Sequence, residues 1–213
     1  MFNTDFIEIY DNAVPSHRCK EIINWMDSQQ MIPGMSGAIR VLRPELKDDW
    51  EVDPEKCRFS VDNTITNILR PILLNYTRSY RQRYDEIDNI GNWGLYSDFN
   101  AQKYYPGQGY HTLHCEDDDG KSNRVLVWTV YLNTVTDKGG TYYENFNRTV
   151  QAKEGRLVIF PPYWTHHHKG VMSKTQTKYI ATGWFTYFGE ELEEEKSKWR
   201  ELEKGNHEKT TTS

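Results

Sequence analysis

From about Trp93 to Phe188 the chain is a succession of short β-branched or aromatic runs, and no helical period intervenes between them. Residues 126–132 read LVWTVYL, 141–143 TYY, 157–160 LVIF and 179–187 YIATGWFTY, separated by Gly, Asn, Asp and Pro. Runs of this kind suit pleated, half-buried surfaces. A parallel sheet would need a crossover helix between each pair of strands, so the pattern predicts an antiparallel sandwich or jelly roll instead.

The first half of the chain reads differently. Residues 6–10 (FIEIY) have strand bias, and Pro15-Ser16 opens a helix with Cys19, Ile22, Ile23 and Met26 at roughly helical spacing. Residues 31–57 carry Pro33, Gly34, Gly37, Pro44 and Pro54 among scattered charges, which predicts a loop with short extended pieces, suited to cover a site. A longer helix is expected over 60–84, with an apolar stripe of Ile65, Ile68, Leu69, Ile72 and Leu73; Pro71 should kink or divide it. The expected organisation is one domain over 1–188, mainly β with supporting helices: helical and loop support over 1–95 and a β core over 96–188. Residues 189–213 read as a charged helix followed by a frayed tail.

Composition narrows the function classes. A net charge of −5 with no basic stripe argues against nucleic acid as partner. The three cysteines (Cys19, Cys57, Cys115) are widely spaced and form no zinc motif, which suits free thiols in a reducing compartment. No run approaches the ~18 consecutive apolar residues of a membrane span, and residues 1–5 are acidic without a long apolar core. The expected location is cytoplasmic.

The chemistry-bearing residues concentrate between 103 and 184. His114 and Glu116 stand two apart, so on a strand both point to one face. About fifty residues later come His166-His167-His168, three of only 7 histidines in the chain. Two imidazoles and a carboxylate are a facial ligand set for a divalent metal that leaves coordination positions open. Lys178, Ile180, Thr182 and Trp184 share a face of the last strand, and a lysine on an inward face calls for an anionic partner. The opposite face (Tyr179, Ala181, Gly183, Phe185) is an equally good core face by periodicity alone.

Taken in order, Tyr104-Tyr105-Pro106-Gly107-Gln108-Gly109-Tyr110, His114-Cys115-Glu116, Arg124, Tyr131-Leu132-Asn133, Gly139-Gly140-Thr141, residues 155–160 (GRLVIF), His168-Lys169-Gly170-Val171 and residues 178–184 (KYIATGW) resemble the iron(II)/2-oxoglutarate dioxygenases, in the prolyl 4-hydroxylase-like branch. The resemblance implies a double-stranded β-helix (a jelly roll, cupin-like) and iron held by His114, Glu116 and a distal histidine. That histidine is His168, ten residues before Lys178, in preference to His166. It further implies 2-oxoglutarate bound by Lys178 and the hydroxyl of Tyr104, for which Tyr105 competes, with Trp184 lining the cavity. Thr129 stands in for a family threonine two residues earlier on the same face, where this chain has Val127. Glu116 occupies a position at which the family usually has Asp, and one extra residue separates Tyr110 from His114.

The activity so implied is hydroxylation of a C–H bond in a peptide, proline included, or in a small molecule. It uses Fe(II), 2-oxoglutarate and O2, with ascorbate as an optional addition, and releases succinate and CO2. Two rivals share the fold. Oxidative demethylation of nucleobases would call for an arginine in place of Lys178, and a cupin-like metal-binding or ligand-binding module would keep the histidines without turnover.

Overall fold

The computed structural model describes residues 5–35, 41–95, 98–117 and 123–188. The charged helix and tail expected over 189–213 lie outside these residues. Eleven strands and two α-helices follow one another as β1 (Glu8–Tyr10), α1 (Ser16–Ser28), β2 (Met31–Pro33), β3 (Trp50–Val52), α2 (Thr64–Arg83), β4 (Trp93–Gly94), β5 (Phe99–Tyr104), β6 (Arg124–Tyr131), β7 (Thr141–Tyr143), β8 (Arg148–Val150), β9 (Arg156–Phe160), β10 (His168–Gly170) and β11 (Lys178–Tyr187). The major sheet runs β1-β9-β6-β11-β5-β3-β2, with β4 also paired to β11, and the minor sheet runs β10-β7-β8. All pairings are antiparallel. Together the two sheets form the double-stranded β-helix that the strand pattern and the resemblance led us to expect.

The major sheet is buried on both faces, and the two faces do different work. Along β6, Leu126, Trp128 and Val130 pack with Ile22 and Met26 of α1 and with Ile65, Leu69 and Leu73 of α2. The alternate residues Val127 and Tyr131 turn the other way, joining Val158, Phe160 and Ile180 against Tyr143 and Val150 of the minor sheet. Strand β11 divides likewise: Ala181 and Phe185 belong to the helix-side core, Ile180 and Trp184 to the inter-sheet side. Both faces of the last strand are therefore inward. A period-two pattern cannot choose between them because each is covered.

Helix α2 is a single helix through Pro71, not two. Pro71 and Asn67, whose carbonyl loses its helical donor, both lie on the exposed side, so the unpaired carbonyl is not buried. The helix starts with a reciprocal cap, Thr66 N donating to Asn63 Oδ1 and Asn63 N to Thr66 Oγ1, each 3.1 Å. Gly183 on β11 is fixed by close approach. A Cβ there would meet Trp128 Cζ2 at 2.7 Å and Phe99 Cβ at 2.8 Å.

The short extended pieces expected within 31–57 are β2 and β3, and they extend the major sheet. Strand β3 pairs with β5 (Glu51 opposite Gln102), Asp48 N donates to Gly109 O at 3.3 Å, and Lys47, Asp49 and Glu51 are all buried. Charged residues among prolines read as a surface loop, but here they pair with one another beneath it. The N-terminal half thus contributes strands as well as helices to the β layer.

Candidate metal and 2-oxo acid site

Between the two sheets lies a cavity of about 660 Å³, lined among others by Tyr104, Tyr110, His114, Glu116, Arg124, Thr129, His168, Lys178 and Trp184. That volume lies within the usual range for small-molecule sites. His114, Glu116 and His168 offer ligand atoms that all lie within 4.8 Å of one another. His114 Nε2 is 3.5 Å and His168 Nε2 3.7 Å from Glu116 Oε1.

Backbone pairing builds this cluster. His114 N donates to His168 O (3.0 Å) and His168 N to His114 O (2.8 Å), so the two residues face each other as an antiparallel bridge. Glu116 N is anchored on Pro162 O at 2.9 Å. Each imidazole also has its Nδ1 on a backbone carbonyl, Thr112 O for His114 (3.0 Å) and His166 O for His168 (2.9 Å). A carbonyl only accepts, so each Nδ1 carries a proton and Nε2 is the nitrogen that each ring turns to Glu116 and the cavity.

The carboxylate is shared between two tasks. Oε1 faces the imidazoles, while Oε2 accepts from Arg124 (3.0 Å) and from the indole Nε1 of Trp184 (3.0 Å). The Arg124 guanidinium lies 3.8 Å over the Trp184 ring, so the two donors brace each other. Burial by itself would raise the Glu116 pKa, but the His114 and His168 imidazoles outweigh it and hold the carboxyl well below its usual range. Burial pushes His168 below the ordinary imidazole value, with Glu116 opposing. An ionised carboxylate and neutral imidazoles are the forms that bind a metal. This donor set fits iron(II).

The other two histidines of the triplet lie apart from the cluster. His166 is buried, with Nδ1 2.9 Å from Thr165 Oγ1 and Nε2 2.8 Å from the carbonyl of Asp5, so both its nitrogens are occupied. His167 O accepts from Glu144 N, which ties the triplet to the turn after β7.

At the far end of the cavity Lys178 stands opposite Tyr104 in the β11–β5 register, its Nζ 4.3 Å from the centre of the Tyr104 ring. Both are buried, while Tyr105 is 45% exposed. Burial lowers the Lys178 pKa to about 8, with Asp49 opposing, and among the described residues no acceptor or ion-pair partner holds its ammonium. A buried ammonium of this kind fits one end of a dicarboxylate. Thr129 Oγ1 lies 2.9 Å from Thr182 Oγ1 on the same wall, and Tyr131 Oη 2.6 Å from Thr141 Oγ1. Sequence reasoning did not assign site roles to Arg124, Thr182, Gln102 or Tyr131. Only the period-two face of β11 pointed to one of them, Thr182.

Comparison with known proteins gives this geometry a context. Residues 99–186, which carry all of the cavity's candidate ligands, match the profile of the 2OG-Fe(II) oxygenase superfamily. That stretch is the part of the chain that resembles the superfamily. A protein of Acanthamoeba polyphaga mimivirus assigned as a prolyl 4-hydroxylase is 22% identical over 206 residues, spanning 86% of this chain and 74% of that protein. Among solved structures, the viral collagen prolyl hydroxylase of Paramecium Bursaria Chlorella virus-1 in its 2-oxoglutarate complex superposes with a TM-score of 0.62 at 20% identity, covering 87% of this chain and 98% of that one. A prolyl hydroxylase of Trichoplax adhaerens bound to a hypoxia inducible factor peptide gives 0.64 at 20% identity, covering 89% and 86%. As in those relatives, the 2OG-Fe(II) oxygenase fold here is a double-stranded β-helix. Among the described residues no helix is long and apolar enough to cross a membrane.

Proposed function

We propose that this 2OG-Fe(II) oxygenase hydroxylates a C–H bond of a peptide, with proline as the favoured residue. His114, Glu116 and His168 would hold iron(II), and Lys178 and Tyr104 the distal carboxylate of 2-oxoglutarate. The observation that carries the reading is the convergence of two imidazole nitrogens and one carboxylate oxygen at one end of a cavity whose other end holds a buried ammonium. When bound, iron with 2-oxoglutarate and O2 supplies the oxidation that turns C–H into C–OH, releasing succinate and CO2.

The chain's own part is placement and exclusion of water. Arg124 and Trp184 fix the rotation of Glu116, so that one oxygen faces the metal position and the other is retained by the protein. The ammonium of Lys178 and the hydroxyl of Tyr104 set how deep the 2-oxo acid sits, and Thr129 with Thr182 forms a polar wall beside it. Proline as target rests on the named relatives. The family match does not favour the alternative of a binding module without turnover.

The test is succinate release over a panel of peptides and small metabolites, with mass spectrometry for a gain of one oxygen. A proline-containing peptide should gain that oxygen in step with succinate. Absence of a charge-transfer band on anaerobic addition of iron and 2-oxoglutarate would remove the enzyme reading altogether.

A further inference from the structure

Behind the 2-oxo acid end of the cavity runs a buried polar chain that the proposed reaction does not by itself require. Tyr104 Oη donates to Gln102 Oε1 (3.2 Å), Gln102 Nε2 donates to Glu51 Oε1 (3.0 Å), and Lys47 Nζ donates to the same Glu51 oxygen. Lys47 Nζ also lies 3.4 Å from Asp49 Oδ1. None of the five side chains belongs to an exposed residue: Lys47 and Gln102 keep 3% of their surface, Glu51 1%, Asp49 2% and Tyr104 3%. Four charged or amide groups at such depth are costly to assemble, which calls for a role beyond filling space.

The orientation of Gln102 follows from its neighbours. The Glu51 oxygen that faces Gln102 also accepts from Lys47, which has only protons to give, so that oxygen is an acceptor and the amide nitrogen of Gln102 must face it. The amide oxygen is thereby turned to Tyr104, whose single hydroxyl proton goes to it. A carboxylate entering beside Lys178 needs that same proton. We infer that Glu51 and Gln102 are positioning residues which withhold the Tyr104 proton from the cavity and so weaken the binding of 2-oxoglutarate. The inference rests on the proposed function above.

When the carboxylate takes the proton, Gln102 Oε1 loses its donor and remains buried. The competition therefore sets an affinity below what Lys178 and Tyr104 would give together. Gln102→Met relieves it with little change of shape. The thioether offers the Tyr104 hydroxyl no comparable acceptor, Lys47 still donates to Glu51, and the hydroxyl proton is released to the cavity.

The experiment is anaerobic calorimetric titration of the iron-loaded protein with 2-oxoglutarate, in the Tyr104 and the Tyr104→Phe backgrounds. Gln102→Met and Gln102→Leu should each tighten binding by about fivefold in the first background, the worth of one hydrogen bond, and leave it unchanged in the second. Vanishing of the effect in Tyr104→Phe separates positioning from general loosening, which would persist in both. Unchanged or weaker binding in both single variants overturns the inference, as does an equal change in the two backgrounds. A wild-type protein that binds no 2-oxoglutarate overturns the proposed function as well. Binding by the wild type with a null cycle overturns this inference alone.

Discussion

His114 and His168 are opposite residues of one antiparallel bridge, joined through two backbone hydrogen bonds of 3.0 and 2.8 Å, so the backbone alone places two candidate ligands side by side. Replacing either side chain with Ala should leave the bridge and the fold intact. Turnover of 2-oxoglutarate to succinate should fall by more than about a hundredfold, since even outer partners of a metal site are worth 10–100-fold. His166→Ala should not mimic this loss, because His166 bonds Asp5 and Thr165. Parallel succinate assays and melting curves on the three variants check it.

Glu116→Asp restores the residue usual in the family but shortens the reach to Arg124 and Trp184, both at 3.0 Å from Oε2. We expect iron affinity to fall in Glu116→Asp and in Arg124→Met alike, by roughly tenfold each. Competition of the apo-protein with a chelator of known affinity measures this, and tighter binding by the Asp variant would show that the carboxylate is not held as described.

Lys178 gives a pH signature with opposite signs in the free and bound protein. Its folded pKa is lowered to about 8 from 10.5, so between those values the unfolded chain carries the extra proton and the ligand-free protein gains stability as pH rises. A bound carboxylate restores the proton, so affinity for 2-oxoglutarate should be constant below about 8 and weaken above it, by up to about tenfold per unit. Lys178→Met should abolish both trends. Titration calorimetry and thermal melts across pH 7–10 read the two trends separately.

Gly183→Ala introduces a Cβ against Trp128 and Phe99 at 2.7 and 2.8 Å. Overpacking of this kind costs roughly 1–3 kcal/mol, a fall in Tm of about 2–12 °C for a chain this size. The metal cluster lies on the other face of the sheet, so iron affinity should be unchanged in the folded variant.

The strands with the densest β-branched and aromatic content were legible in the sequence. The runs at 126–132, 157–160 and 179–187 became β6, β9 and β11 within a residue or two, and 141–143 became β7. Strand β5 was not, because Phe99–Tyr104 reads FNAQKY and owes its pairing to neighbours on both sides, β11 and β3. Residues 31–57 were read as a loop with short extended pieces suited to cover a site, since nothing local reveals that Lys47 is buried between Asp49 and Glu51. The pairing of His168 with His114 and the diversion of His166 to Asp5 depend on partners more than fifty residues away, which no local spacing encodes.

The bond from His166 to the carbonyl of Asp5 joins residues 161 positions apart, and Asp5 also pairs with Arg148. During synthesis, the segment around Asp5 leaves the ribosome long before its partners are made. Contacts of such sequence separation form late and slowly. The cluster of His114, Glu116 and His168 is thus among the last features that a nascent chain can complete, and a ribosome-bound fragment ending before His166 would lack the residue that His114 faces.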